Sequence, residues 1–369
     1  MKPQPRIYLD HLASGYLPVI QKGLEWTNLR SKLKWGDPVF VKPNLTYPTF
    51  RRGVMTNPEC VEAVVVALRD YTNQIIVGEA DSGGYNPFSI DEVFVKTGIK
   101  ELEKKYGIQV CNLSHLPYRC IEFAYKGRQL KVPLPVLLLD ETAFLLTIPV
   151  PKIHMNTQVS MAIKNQWGCI PEPTMRLGLH PFFEKVVYEV NKHVRTDFAV
   201  VDGKYGLNRS GPMRGDPVEL NWLMVADNIY AADVAGCQLM QIDPSSVYYL
   251  RYLATREKVL PAIHDIEFSQ DWRAFVKEKF HLHREWTDYP GLWAFRSPLL
   301  AYLGYYSPLA NLLHRILYLF REPFYDYAVG KKGEQQKAVP AESFTEDKST
   351  LEMEERPEHR REAFLLRKP

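Results

Sequence analysis

The chain has 369 residues, 46% of them hydrophobic and 24% charged, enough apolar material for one large core or for two. The formal net charge is +3, and no lysine–arginine cluster is interleaved with aromatics; this excludes a phosphate-tracking groove, so no nucleic-acid partner is expected. Five scattered cysteines (Cys60, Cys111, Cys120, Cys169, Cys237) form no C-x-x-C pair, which argues against a disulfide framework or a thiolate zinc site and suits a reducing cytoplasm.

At the N-terminus Pro3, Pro5 and Asp10 stand where a signal peptide needs an apolar run, so no secretory targeting is expected. Residues 38–44, PVFVKPN, read as a strand. Residues 57–71 read as a helix: Asn57 can cap, Pro58 suits the first turn, and Val61, Val64, Val65 and Leu68 form an apolar stripe. QIIVGEADSGG (74–84) reads as a strand ending in an acidic, glycine-rich loop. A helix over 91–107, broken near Gly98, and a short strand over 108–113 follow. Alternation on both sides of Lys126-Gly127 predicts a β-hairpin over 121–135. Then come a strand at 143–149, helices at 158–167 and 182–194, strands at 197–203 and 220–226, and a helix at 228–241.

Strands alternating with helices predict an α/β domain over 1–260: a mostly parallel sheet flanked by helices, with the hairpin inserted. A helical, aromatic-rich extension is expected over 261–330. Within it Ser297–Leu313 carries no charge, but Pro298, Gly304 and Pro308 interrupt it, so a spanning helix is not expected. A segment packed on the α/β domain, or a peripheral membrane contact through 291–327, are the two readings. Residues 331–369 hold nine basic and nine acidic side chains and few large apolar ones, which predicts a solvated, disordered tail.

Ligands in open α/β sheets bind beyond the carboxyl ends of the strands, and four expected strand ends carry polar groups. They are Lys42 and Asn44; Glu79, Asp81 and Ser82; Lys152, His154 and Asn156; and Asp202, Gly203 and Lys204. The GEADSGG loop has neither the G-x-G-x-x-G nor the G-K-S/T pattern, and its acids would repel a phosphate; they suit a cation, a general base or a helix cap. Lys152 and His154, two apart on an extended chain, point the same way, as an anion site with a proton-transfer group requires. On the expected helix 158–167, Met161, Lys164, Asn165 and Gly168 share one face. Residues 202–217 read as a long glycine- and proline-rich loop, a candidate mobile lid. Asp233 lies among small residues on the helix over 228–241, where it could meet a lysine or form a structural ion pair. Cys169 and Cys237 read as core thiols, and His281-Leu282-His283 as surface rather than a metal corner.

Taken as an ordered set, Lys42-Pro43-Asn44, Gly78-Glu79-Ala80-Asp81, Pro151-Lys152-x-His154, Ala162-Ile163-Lys164-Asn165 with Gly168-Cys169, Asp202-Gly203, Gly211-Pro212-x-x-Gly215, and Asp227 with Asp233 resemble the domain-of-unknown-function 362 family over roughly residues 36–245. Many members of that family carry a ferredoxin-like cluster domain and are described as iron–sulfur proteins. This chain has no C-x-x-C-x-x-C run, so an iron–sulfur cluster is not expected.

The resulting expectation is an enzyme acting on a small anionic ligand, a carboxylate or phosphate, by an isomerase-, lyase- or transferase-like reaction. Its catalytic residues are His154, Glu79, Asp81 and Lys152; Lys42, Asn44, Lys164, Asn165, Asp202 and Gly203 bind substrate. A divalent-metal variant uses Glu79, Asp81, His154 and Asp202 as ligands. The alternatives are a non-enzymatic ligand-binding or scaffold module with a membrane-touching C-terminal segment, and a redox protein. The sequence leaves the oligomeric state open.

Overall fold

The computed structural model describes residues 3–83 and 86–321. The expected tail 331–369, together with Gly84, Phe324, Tyr325 and Tyr327, lies outside the described residues.

In chain order the first elements are β1 (Arg6–His11), α1 (Tyr16–Trp26), β2 (Val39–Pro43), α2 (Pro58–Leu68), β3 (Ile75–Glu79), α3 (Ile90–Lys96), α4 (Leu102–Tyr106) and β4 (Gln109–Asn112). The hairpin β5 (Tyr118–Tyr125) and β6 (Arg128–Pro135) follows, then β7 (Phe144–Ile148), β8 (Lys152–His154), β9 (Gln158–Ser160), α5 (Ala162–Asn165), α6 (Pro173–Leu179) and α7 (Phe183–His193). After β10 (Thr196–Asn208), β11 (Asp216–Ala226) and α8 (Ile229–Leu239) come α9 (Tyr248–Tyr252), β12 (Glu267–Phe268), α10 (Tyr289–Ala294), α11 (Pro298–Ala301) and α12 (Ala310–Leu317).

The main sheet has the order β12-β1-β11-β10-β7-β2-β3-β4, with β8 beside β10 and β9 beside β8. From β10 to β4 neighbouring strands are parallel, while β11 is antiparallel to both β1 and β10. The fold is therefore α/β, a mostly parallel mixed sheet flanked by helices, and the hairpin forms its own two-stranded sheet. Side-chain alternation sorts the strands onto two cores. Val39, Val41, Val77, Leu146 and Val200 pack with α1 and α2, whereas Phe40, Ile76, Leu145 and Val201 pack with α5, α7 and α8.

Three expectations are corrected. The helix expected over 158–167 begins as β9, because Asn156 and Thr157 turn the chain back so that Lys152–His154 pairs antiparallel with Gln158–Ser160. Gln158 takes a left-handed φ of 68°, and only α5 and a 3-10 turn over Gln166–Cys169 are helical. The Val159, Met161, Ile163 spacing suits a strand as well as a helix, so pattern alone could not separate them. The long lid expected over 202–217 is mostly sheet: β10 runs through Asn208 and β11 starts at Asp216, and the two pair antiparallel with one register shift between Gly203 and Tyr205. Finally, residue 260 is not a break. β12 pairs with β1, and Ile266, Phe275 and Phe280 enter the core, so this part of the extension completes the sheet edge.

Candidate functional site

The carboxyl ends of β2, β3 and β7, three neighbouring parallel strands, bring Lys42, Glu79 and Thr147 together. Lys42 is fully buried, and its Nζ donates to Glu79 Oε2 at 2.7 Å and to the Pro43 carbonyl at 3.2 Å. Glu79 Oε1 accepts from the Ala80 N–H at 3.0 Å. Gly168 presses on this pair: a Cβ there would sit 2.5 Å from Glu79 Oε1 and 2.8 Å from Lys42 Nζ, so a larger residue would have to displace the ion pair.

Asn165 fastens α5 over the same strand ends. Its Nδ2 donates to Thr147 Oγ1 at 2.8 Å and to the Lys42 carbonyl at 3.2 Å. Asp233, buried on α8, holds the start of α5 by accepting from the Ile163 N–H at 3.1 Å and from the Tyr249 hydroxyl at 3.2 Å. Burial raises the Asp233 carboxyl to about 7, against these hydrogen bonds.

Lys152 and His154 lie on β8, both buried. Lys152 Nζ donates to the Val54 carbonyl at 2.6 Å, and the Asn44 amide donates to the same oxygen at 3.3 Å. Burial, with the charges of Lys164 and Lys42, lowers the Lys152 amine to about 7 despite the opposing effect of Glu79. Lys164 is also brought down to about 7, by burial and by Lys42 and Arg176. The Lys164 side chain keeps part of its surface exposed, while its amine is as deeply surrounded as that of Lys152. Lys42 and Arg176 push the Lys164 amine the same way as burial. His154 Nδ1 accepts from the N–H groups of Asn156 and Thr157 at 3.1 and 3.4 Å, which places the proton of the neutral ring on Nε2. Burial first, then Lys164 and Lys152, hold this imidazole well below its usual range, so it stays neutral.

Three basic residues here, two arginines and a neutral histidine, were not singled out in the sequence. Arg176 on α6 is buried, donates to the Asp81 carbonyl through Nη2, and has a buried Nε without a partner among the described residues. His180, one turn later, donates from Nδ1–H to the Arg176 carbonyl at 2.8 Å, and burial lowers its ring to about 3. Its ring stacks on Phe295 of the extension and meets Trp167 edge-on. Arg284 Nε donates to the Met155 carbonyl at 2.8 Å. The Arg176/His180 spacing of four on a proline-started helix was the available signal.

Two expected site residues lie elsewhere. Lys42 follows Phe40 onto the α5 face of the sheet, whereas Asp202 follows Val200 onto the opposite face, against α1 and α2. There Asp202 accepts from the Tyr16 hydroxyl (2.8 Å) and from the Asn57 and Lys204 N–H groups (2.8 and 3.2 Å), which pins the cap of α2. Gly203 makes room for the Trp222 ring. Asp81 Oδ1 accepts from the Ile90 N–H at 2.8 Å and from the Asn112 amide at 3.2 Å, so its carboxylate serves the start of α3. Asn44 braces the 51–56 segment. Glu79, Asp81, His154 and Asp202 therefore do not converge, and no group of three metal-ligating side chains occurs among the described residues. Replacing Asp202 by Ala is expected to cost about 2 kcal/mol or more, from two buried donors and one part-buried donor left unpaired, while anion affinity stays unchanged; denaturant melts beside ligand titration check both.

Two shallow surface hollows, both lined by Trp272 and Arg273, share no residue with the cation cluster, so charge and burial rather than hollow size mark the site.

The model of the family described as "Domain of unknown function (DUF362)" matches residues 39–238, more than half of the chain. The chain belongs to this family. A curated relative, the thylakoid-associated protein sll1697 of Synechocystis sp. (strain ATCC 27184 / PCC 6803 / Kazusa), is 25% identical over 223 residues; the match covers 58% of this chain and 66% of that protein, just under two thirds of its length. Among solved structures, the lactate racemase apoprotein of Thermoanaerobacterium thermosaccharolyticum is similar at TM-score 0.40 and 14% identity, over 66% of this chain and 58% of that one. A structural-genomics crystal structure of a Thermotoga maritima protein is similar at TM-score 0.34 and 13% identity, over 55% and 53%. None of the described helices of this DUF362 chain is long and apolar enough to cross a membrane.

Proposed function

We propose that this DUF362 protein is an enzyme acting on a small anionic molecule, a carboxylate or a phosphate, bound between Lys152, Lys164 and Arg176. The supporting observation is the imbalance of charge: Lys164 Nζ has no hydrogen-bond partner among the described residues, and the carboxylates of Glu79 and Asp81 are committed to Lys42 and to α3. Desolvated like charges repel, and an anion placed among them relieves that repulsion.

Two amines near 7 supply both halves of a proton transfer. The neutral amine of one lysine takes a proton from the substrate and becomes an ammonium. The ammonium of the other, with the His154 Nε2–H, donates hydrogen bonds to the oxygen on which charge develops. This reassigns the proton-moving role from His154, Glu79 and Asp81 to the lysines, and leaves His154 as a neutral donor. Such chemistry serves isomerase-, lyase- or transferase-like reactions alike.

Isothermal titration with inorganic phosphate and with small mono- and dicarboxylates at pH 6 and pH 8 tests the reading. Saturable binding at pH 6 that weakens at pH 8 is expected, and no binding of any of these at pH 6 overturns it. A second reading, a ligand-binding module without turnover, rests on the 2.6 Å bond from Lys152 to the Val54 carbonyl, which ties that amine to the backbone. Proton exchange from a bound carbon acid into deuterated water separates the two.

A further inference from the structure

The geometry points to the helices α10–α12 as a docking surface for an anionic lipid bilayer, lying in the headgroup region without crossing it. An amphipathic helix on a globular protein turns its apolar stripe to the core; α12 does the reverse. Leu309, Leu312, Leu313 and Ile316, spaced at i, i+3, i+4 and i+7, are 44–55% exposed, and Leu319 and Phe320 extend the stripe at 78% and 61%. Trp286 meets Phe320 edge-on, its centroid 5.4 Å away, so the stripe continues onto the start of the extension, where Trp293 and Leu299 are also exposed. Single exposed leucines are ordinary on a protein surface; a contiguous run of this kind marks an interaction face.

Composition selects the partner. From Tyr289 to Phe320 there is no carboxylate, and the two charged residues, Arg296 and Arg315, are both exposed and cationic. Leucines with tryptophans and tyrosines around them and arginines at the margin are what a headgroup–acyl boundary accepts, and the arginines favour anionic lipid. The interruptions at Pro298, Gly304 and Pro308 break the segment into short pieces that can lie flat. Residues 331–369 hold nine basic and nine acidic side chains and few large apolar ones.

The test is co-sedimentation of the full chain with phosphatidylcholine vesicles, with and without phosphatidylglycerol. Binding is expected, several-fold stronger with the anionic lipid, and a triple variant Leu312→Glu/Leu313→Glu/Ile316→Glu is expected to lose it at least tenfold at an unchanged thermal midpoint. Because all three side chains are exposed, the variant folds, so the readout is surface chemistry. Full binding by the triple variant, or none by the wild type, overturns the proposal. So does a wild-type dimer in solution that the variant dissociates, since a second copy then owns the stripe. Equal binding to neutral and anionic vesicles removes the arginines' part and with it the lipid class proposed.

Discussion

Glu79→Leu is expected to destabilise the protein by about 3–5 kcal/mol, the usual consequence of leaving one member of a buried ion pair without its partner. Lys42 side-chain exposure is 0% and Glu79 side-chain exposure is 7%, so no solvent reaches in to hydrate the stranded ammonium. The lysine cannot swing away, because Gly168 closes over it and the Pro43 carbonyl is its remaining partner. Removing both charges, as Lys42→Leu/Glu79→Leu, is expected to recover most of the loss, since the desolvation of both ions disappears with them. Urea denaturation of the two variants measures this. A single variant within about 1 kcal/mol of wild type would sink the buried-pair account.

Lys164→Met is expected to do the opposite: anion affinity falls about tenfold or more, the value of one charge-assisted hydrogen bond, while apo stability at pH 6 holds or rises. The substitution removes a cation that Lys42 and Arg176 repel, and the methylenes remain to pack. A lysine with only a structural role would lose stability and leave affinity alone. The pH dependence carries the same signature. In the folded protein Lys152 and Lys164 lie near 7, below the 10.5 of a free lysine, so between pH 7 and pH 10 the unfolded chain binds more protons. Apo stability therefore rises with pH across this window, by at most about 1.4 kcal/mol per unit for each amine, and less for the half-buried Lys164. Below pH 7 both states are protonated and this slope vanishes. Anion affinity runs the other way, full below pH 7 and lost as the amines discharge. Thermal melts and titrations from pH 6 to pH 9 check both, and a wild-type stability flat from pH 7 to pH 9, matching Lys152→Met/Lys164→Met, would disprove the assignment. Buried Cys60, Cys169, Cys237 and Tyr16, all raised by burial, oppose this rise once the pH passes the ordinary thiol value of 9.0, so the lysine signature is read between pH 7 and pH 9.

The α/β class, the hairpin around Lys126-Gly127 and the capped helix after Asn57 are local matters, and the residues alone announced them. Lys42, Lys152 and Lys164 were legible for a related reason: a cation at the end of an apolar run conflicts with its surroundings, and such conflicts mark sites. Asp202 and Asp81 carry the same polar character at strand ends, yet each serves the start of a helix packed in the same layer, because residue parity decides which face of a strand meets which layer. That parity can be counted in a sequence, but which layer covers each face cannot. Arg176 and His180 were silent because a buried cation is visible only through its neighbours. The sequence by itself determined the strand ends, the helix caps and the carboxylate-free aromatic segment, since backbone propensity and composition are properties of short stretches. Only the tertiary structure decided that three lysines and an arginine share one interior with a committed carboxylate, and that α12 turns its apolar stripe outward, because burial and charge pairing depend on residues far apart in the chain.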